Sequence, residues 1–263
     1  MPIDVPALRA RTSKIATKLF DPVGCATEIR KLFRDLADHS RRVNQRPVGG
    51  RLDEQLRTPT PVIHEMAVAL RVPVQQDPVS GAALSRALWS AGSREERRLA
   101  SDILGFLAVG APEDALKQLE ELLPHCDSAE IVDALVLGAF KPLLMREPGQ
   151  ALAVARRWTL QRNKWLRRAA ALSVYTLAQE SRWDDLPGMF EVLRKLASES
   201  DPTVRPAVVD ALRTLTAARP LDARPFLHEQ AARSDHNSRF LVRTVMKLLP
   251  EEWQNDLVRD LRS

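Results

Sequence analysis

Aromatic residues make up only 5% of the 263-residue chain, and a single tyrosine is present. Ala, Leu and Arg are plentiful instead, and such side chains lose little freedom in a helix, so the composition favours helices over sheets. Cysteine is nearly missing: Cys25 and Cys126 cannot make a disulfide framework and lack metal-ligand spacing. No uncharged apolar run reaches the roughly 18 residues of a membrane span. The N-terminal stretch has no apolar core ahead of a small-residue cleavage site, so no secretion signal is expected. The ten glycines are scattered without a GxxxxGK phosphate loop. These absences lead to the expectation of a reduced, cytoplasmic protein without cofactor or metal. With 44% hydrophobic residues the chain can still bury a substantial core.

Charge is unevenly spread. Residues 1–149 hold 20 Lys and Arg against 20 Asp and Glu, whereas residues 150–263 hold 19 against 14. The net charge of +5 therefore belongs to the second half. No acid occurs between Glu147 and Glu180, a stretch carrying Arg156, Arg157, Arg162, Lys164, Arg167 and Arg168 beside Trp158, Trp165 and Tyr175. Cations interleaved with aromatics suit a polyanion-binding surface, although most charge runs are simply solvated helix faces. Their alternation with small Ala-rich positions argues against a lipid surface.

Helix-start signals recur at a near-constant interval. Ser93-Arg-Glu-Glu96 and Asp127-Ser-Ala-Glu130 read as capping boxes, and Asp201-Pro202 as an N-cap with proline at the first helical position. Anchors at Ser93, Ser128, Asn163, Asp201 and His236 are separated by 35, 35, 38 and 35 residues. Second helices are expected at Glu113–Leu123, Pro148–Leu160, Leu186–Ala197 and Asp222–Ala232. Earlier helices are expected at Ala26–Val43, Pro61–Arg71 and Gly81–Ser90, with an amphipathic helix in residues 1–20. A helix pair every 35–40 residues, unable to bury its apolar face alone, is the signature of an all-α, HEAT-like helical-repeat solenoid. It would form a single curved domain. Residues 1–57 then form an N-terminal helical extension with a Gly49-Gly50 loop, and residues 58–263 the repeat domain. The first three repeats align Arg98, Asp133 and Arg168, each five residues after its anchor. Two readings of this column stand: an ion-pair ladder holding repeats in register, or a carboxylate doing chemistry on bound nucleic acid. An ionised carboxylate can stabilise an oxocarbenium-like sugar and orient water.

Leu88-Trp89-Ser90, Glu95–Ala100, Ile131-Val-Asp133, Trp158 and Asn163–Ala170 together resemble the AlkD-like family of DNA alkylation-repair glycosylases, as does Thr58–Leu70. The similarity covers roughly residues 58–250. It implies a basic concave cleft for double-stranded DNA and hydrolysis of the N-glycosidic bond of N3- or N7-alkylated purines. Asp133 matches the family's catalytic aspartate and Arg168 its backbone-gripping arginine. The chain departs from active relatives at Ala129, where a tryptophan usually stands four residues before the aspartate. It departs again near Asp210, where a second cleft tryptophan falls, and it has no N-terminal tyrosine. The family also has members that bind duplex or branched DNA with little or no excision. Further DNA contacts are expected from Arg167, Lys164, Trp165, Arg156, Arg157, Arg98, Arg205, Arg239 and Arg243, and the protein is expected to act as a monomer.

Other reactive residues offer less. His125-Cys126 is poor nucleophile–base geometry, His64-Glu65 lacks a second zincin histidine, and His228 and His236 are too far apart to chelate from one turn. Trp89, Trp158 and Trp183 sit at positions read as core.

Overall fold

The computed structural model describes residues 4–38, 55–182 and 185–262, and among them every regular element is a helix. They gather into two compact units, Met1–Leu143 and Leu144–Ser263. The first holds α1 (Val5–Ala16), α2 (Pro22–Asp35), α3 (Thr60–Gln76), α4 (Pro78–Ala91), α5 (Arg94–Gly110), α6 (Pro112–Leu122) and α7 (Ala129–Leu135). A π turn, Val136–Phe140, follows α7, and the division falls within α8 (Lys141–Arg146). The second unit continues with α9 (Pro148–Trp158), α10 (Lys164–Gln179), α11 (Leu186–Leu196), α12 (Arg205–Ala218), α13 (Pro220–Ala231), α14 (His236–Val245) and α15 (Glu251–Asp260).

Local chemistry explains most helix starts. Side chains of Asp4, Asp21, Asp77, Ser93, Ser128, Asn163, Asp185 and Asp235 accept first-turn N–H groups that the helix itself cannot satisfy. Many of the chain's prolines sit in first turns, as in α2, α4, α9 and α11, where a missing N–H costs nothing. Ser93 and Glu96 complete the expected reciprocal capping box.

Three starts differ from the sequence reading. Ser128, not Asp127, caps α7, because the Asp127 carboxylate is taken by Arg97. Asp201 and Pro202 form a turn in which Asp201 accepts from Thr203, and the helix begins only at Arg205. Asp235, one residue before the expected His236, caps α14. Helix α2 also starts earlier than the expected Ala26, since Asp21 and Pro22 supply a cap, and it ends at Asp35 rather than Val43. The Asp38 N–H then donates to the Arg57 carbonyl. Residues 46–53 and Trp183 lie outside the described residues, so the Gly49-Gly50 loop and a core role for Trp183 carry no structural account.

Within each unit the long helices pack by small and branched side chains. In the first, Leu99, Ile103 and Leu104 of α5 and Phe140 of the π turn are fully buried. In the second, α10 buries Ala169, Ala170, Ala171 and Val174. Trp89 and Trp158 are buried, each in its own unit, as read from the sequence. Cross-repeat ion pairs fall at the repeat interval: Arg86–Glu121, Arg156–Glu191 and Arg194–Glu229 each join residues 35 apart.

The π turn has a local cause. Proline in a straight α-helix lacks the N–H for the carbonyl four residues back and pushes its ring against that carbonyl. For Pro142 that carbonyl belongs to Gly138. The backbone widens instead, and the Lys141 N–H donates to Val136, five residues back.

Candidate nucleic-acid interface

Helix α7 carries Asp133 five residues beyond its Ser128 cap, half-buried. Arg98 stands five residues beyond Ser93 on α5, exposed, and α5 packs against both α7 and the π turn. In the second unit Arg168 occupies the same register beyond the Asn163 cap of α10. The three caps on which the column was built are therefore present. Arg168 Nη1 donates to the Thr203 carbonyl at 2.6 Å.

The remaining cations divide by environment. Arg167 is half-buried, with Nε 2.6 Å from Glu199 Oε2, and Nη1 donates to the carbonyls of Gln161 and Arg162. Arg156 bonds Glu191 at 2.7 Å and faces Asp185 at 3.7 Å. Trp165 is 5% exposed, with the Lys164 ammonium 4.6 Å from the centroid of its ring. Arg205 lies over Phe240 at 5.0 Å, and Arg239 Nε donates to the Ala231 carbonyl. Arg157 and Arg243 are exposed. The acid-free stretch of α9 and α10 is thus partly neutralised by carboxylates of α11 and the chain before α12.

A feature not singled out from the sequence is a groove in the first unit of about 1190 Å³. Its wall includes His64 and Arg71 of α3, Arg98, Asp102 and Phe106 of α5, and Gly138 of the π turn. Asp133 lies outside this lining. Burial raises the Asp102 carboxyl above its ordinary value, and the charges of Arg98 and then His64 oppose that rise. The signal was present as spacing, since Arg98, Asp102 and Phe106 recur every four residues on one helix face.

Chemically, the described residues supply solvent-facing guanidiniums, a half-buried carboxylate at Asp133 and a groove of mixed polar and apolar lining. Among them no group of three or more His, Cys, Asp or Glu could hold a metal ion. No described helix is long and apolar enough to cross a membrane. Cys126, beside His125, is buried, and burial raises its thiol pKa first of all, with Asp127 adding to the rise, so it is no nucleophile.

These features define an all-helical repeat protein with cation-bearing helices. The chain belongs to the family of DNA alkylation repair enzymes, whose family model matches residues 29–249. That match begins inside α2 and bears out the AlkD-like resemblance. A search of curated proteins gave no match.

Proposed function

We propose that the protein is a monomeric, cofactor-free DNA glycosylase of alkylation repair, hydrolysing the N-glycosidic bond of N3- or N7-alkylated purines in double-stranded DNA. The observation that carries this reading is the Ser128-capped α7 holding Asp133 half-buried, within a chain whose family is DNA alkylation repair. An alkylated purine is already cationic, so it leaves as a neutral base and needs no general acid. The ionised Asp133 stabilises the developing sugar cation and orients the attacking water. Arg168 grips a phosphate, and the exposed arginines position the duplex.

A second reading is favoured by Ala129 and Asp210, which leave no aromatic at the positions where active relatives hold cleft tryptophans. On that reading the protein binds duplex or branched DNA with little excision. Release of 7-methylguanine or 3-methyladenine from methylated duplex DNA decides between them. The glycosylase reading expects release by the parent protein and loss of at least a hundredfold in Asp133→Asn, about the effect of removing one electrostatic stabiliser. No release by a parent protein that binds the same DNA would overturn it in favour of the second.

A further inference from the structure

The anchors Ser93, Ser128 and Asn163 each cap the helix that follows, but Asp201 does not. Its Oδ1 instead accepts from the Thr203 N–H at 2.8 Å and from the Thr203 hydroxyl at 2.6 Å. An aspartate that bonds the N–H two residues on closes a tight local turn. The Asp201 carbonyl closes the same turn along the backbone, accepting from the Val204 and Arg205 N–H groups. Thr203 is 8% exposed and Val204 fully buried, so the turn is seated against the fold. Its geometry leaves the Thr203 carbonyl without a donor from the following helix. Pro206, three residues on, has no N–H, and the Ala207 N–H, four residues on, goes to Val204. Arg168 Nη1 donates there instead at 2.6 Å, reaching across from α10 over 35 residues of sequence.

An arginine side chain is long and loses much rotamer freedom when it is fixed. A guanidinium already held at one N–H has its planar fork set in one direction. The Thr203 carbonyl can do this only while the turn keeps its shape, and that shape depends on the Asp201 carboxylate. Burial opposes ionisation of Asp201, but the hydroxyl and N–H of Thr203, with the charges of Lys164 and Arg167, outweigh it and hold the carboxyl below its ordinary value. Asp201 is therefore an ionised acceptor at neutral pH. We propose that Asp201 is a positioning residue that, through the Thr203 carbonyl, holds the Arg168 guanidinium ready for a phosphate of bound DNA. Its bare charge acts the other way, by repelling phosphate. The inference rests on the phosphate contact that the proposed function gives Arg168, and not on the chemistry assigned to Asp133.

Binding of a labelled duplex to the full chain, at one fixed salt concentration, compares Asp201→Asn with Asp201→Ala. Both remove the same negative charge, so simple electrostatics treats them alike, whereas only the asparagine oxygen can still accept from Thr203. Asp201→Asn is expected to bind about fivefold more tightly than Asp201→Ala, the ordering cost of one long side chain. In an Arg168→Ala background the two are expected to bind equally, because no guanidinium remains to be positioned. Arg168→Ala itself lowers the slope of log K against log salt by about 0.9. In DNA-free protein the Arg168 Nε–H resonance, assigned by its loss in Arg168→Ala, keeps its place in Asp201→Asn and moves in Asp201→Ala. Helical circular dichroism and the melting temperature confirm that each variant is folded. Four results would each overturn the proposal: equal affinities for the two Asp201 variants, a difference that persists without Arg168, an unmoved resonance in Asp201→Ala, or an unchanged slope in Arg168→Ala. A parent protein that binds duplex, keeps the Asp201 dependence and releases no alkylated purine removes only the glycosylase reading. One that binds no duplex removes both.

Discussion

Gly105 of α5 and Gly138 of the π turn meet backbone to backbone: a Cβ on Gly105 would stand 2.2 Å from the Gly138 carbonyl oxygen. Backbone cannot rotate away as a side-chain tip can. Gly105→Ala therefore forces the two segments apart despite the higher helix propensity of alanine. Overpacking of this kind costs about 1–3 kcal/mol, against a propensity gain of about 1 kcal/mol for Gly→Ala in an open helix. Gly149→Ala in α9, where an added Cβ meets nothing within 4 Å, supplies the contrast. Thermal unfolding is expected to show a lowered melting temperature for the first and an unchanged or raised one for the second. A raised melting temperature in Gly105→Ala would remove the close contact from the account.

The Arg167–Glu199 pair is expected to be architectural. Its side chains are 20% and 9% exposed, and Glu199 also accepts the N–H groups of Ser200 and Asp201. Removing one partner leaves a poorly solvated charge, so Arg167→Met should cost about 1–3 kcal/mol. Arg194→Met, whose partner Glu229 is 42% exposed, should cost less than about 1 kcal/mol. Urea unfolding of the two variants checks the difference.

The cap-and-proline pattern made most helices readable, because an N-cap is a local event between residues three apart. Ser93, Ser128 and Asn163 function as caps where the spacing placed them. One misplaced start has a non-local cause: Asp127 is claimed by Arg97, thirty residues upstream, which no local pattern reveals. The same limit applies to the basic run. Its freedom from acid is a property of the sequence alone, since Glu191 and Glu199 reach Arg156 and Arg167 from the following repeat. The groove around Asp102 is not legible as a groove because its walls come from α3, α5 and the π turn, brought together by tertiary packing. Asp133 was legible because it stands five residues beyond Ser128, the register that Arg98 and Arg168 hold beyond their own anchors.

Asp102 gives a pH signature. Burial raises its carboxyl in the folded chain above the unfolded value. The folded state then binds the proton more tightly, so stability is lost as pH rises from the ordinary carboxylate value through the raised one. At neutral pH the ionised group destabilises the fold. Asp102→Asn is therefore expected to raise the melting temperature at pH 7, with the gain shrinking to nothing below about pH 3.5, where the parent carboxyl is protonated in both states. Melting curves across that range check it, and a neutral-pH loss of stability in the variant would contradict the sign.

Exposed and half-buried arginines should separate in their effect on DNA affinity. Each phosphate contact that is lost reduces the slope of log K against log salt by about 0.9 on duplex DNA. Arg157 and Arg243 are exposed, so Arg157→Ala and Arg243→Ala are each expected to lower the slope by about that amount. Arg167 spends its guanidinium on Glu199 and two carbonyls. Arg167→Met should leave the slope unchanged in the folded fraction while lowering stability. Trp165→Phe should likewise alter stability rather than slope, because the indole is buried and carries no charge. Fluorescence anisotropy with a labelled duplex between 50 and 200 mM salt, about the range over which such slopes are resolved, reads all four variants. A slope reduced by Arg167→Met but untouched by Arg157→Ala and Arg243→Ala would reverse the assignment, placing the phosphate on the half-buried side of the basic run.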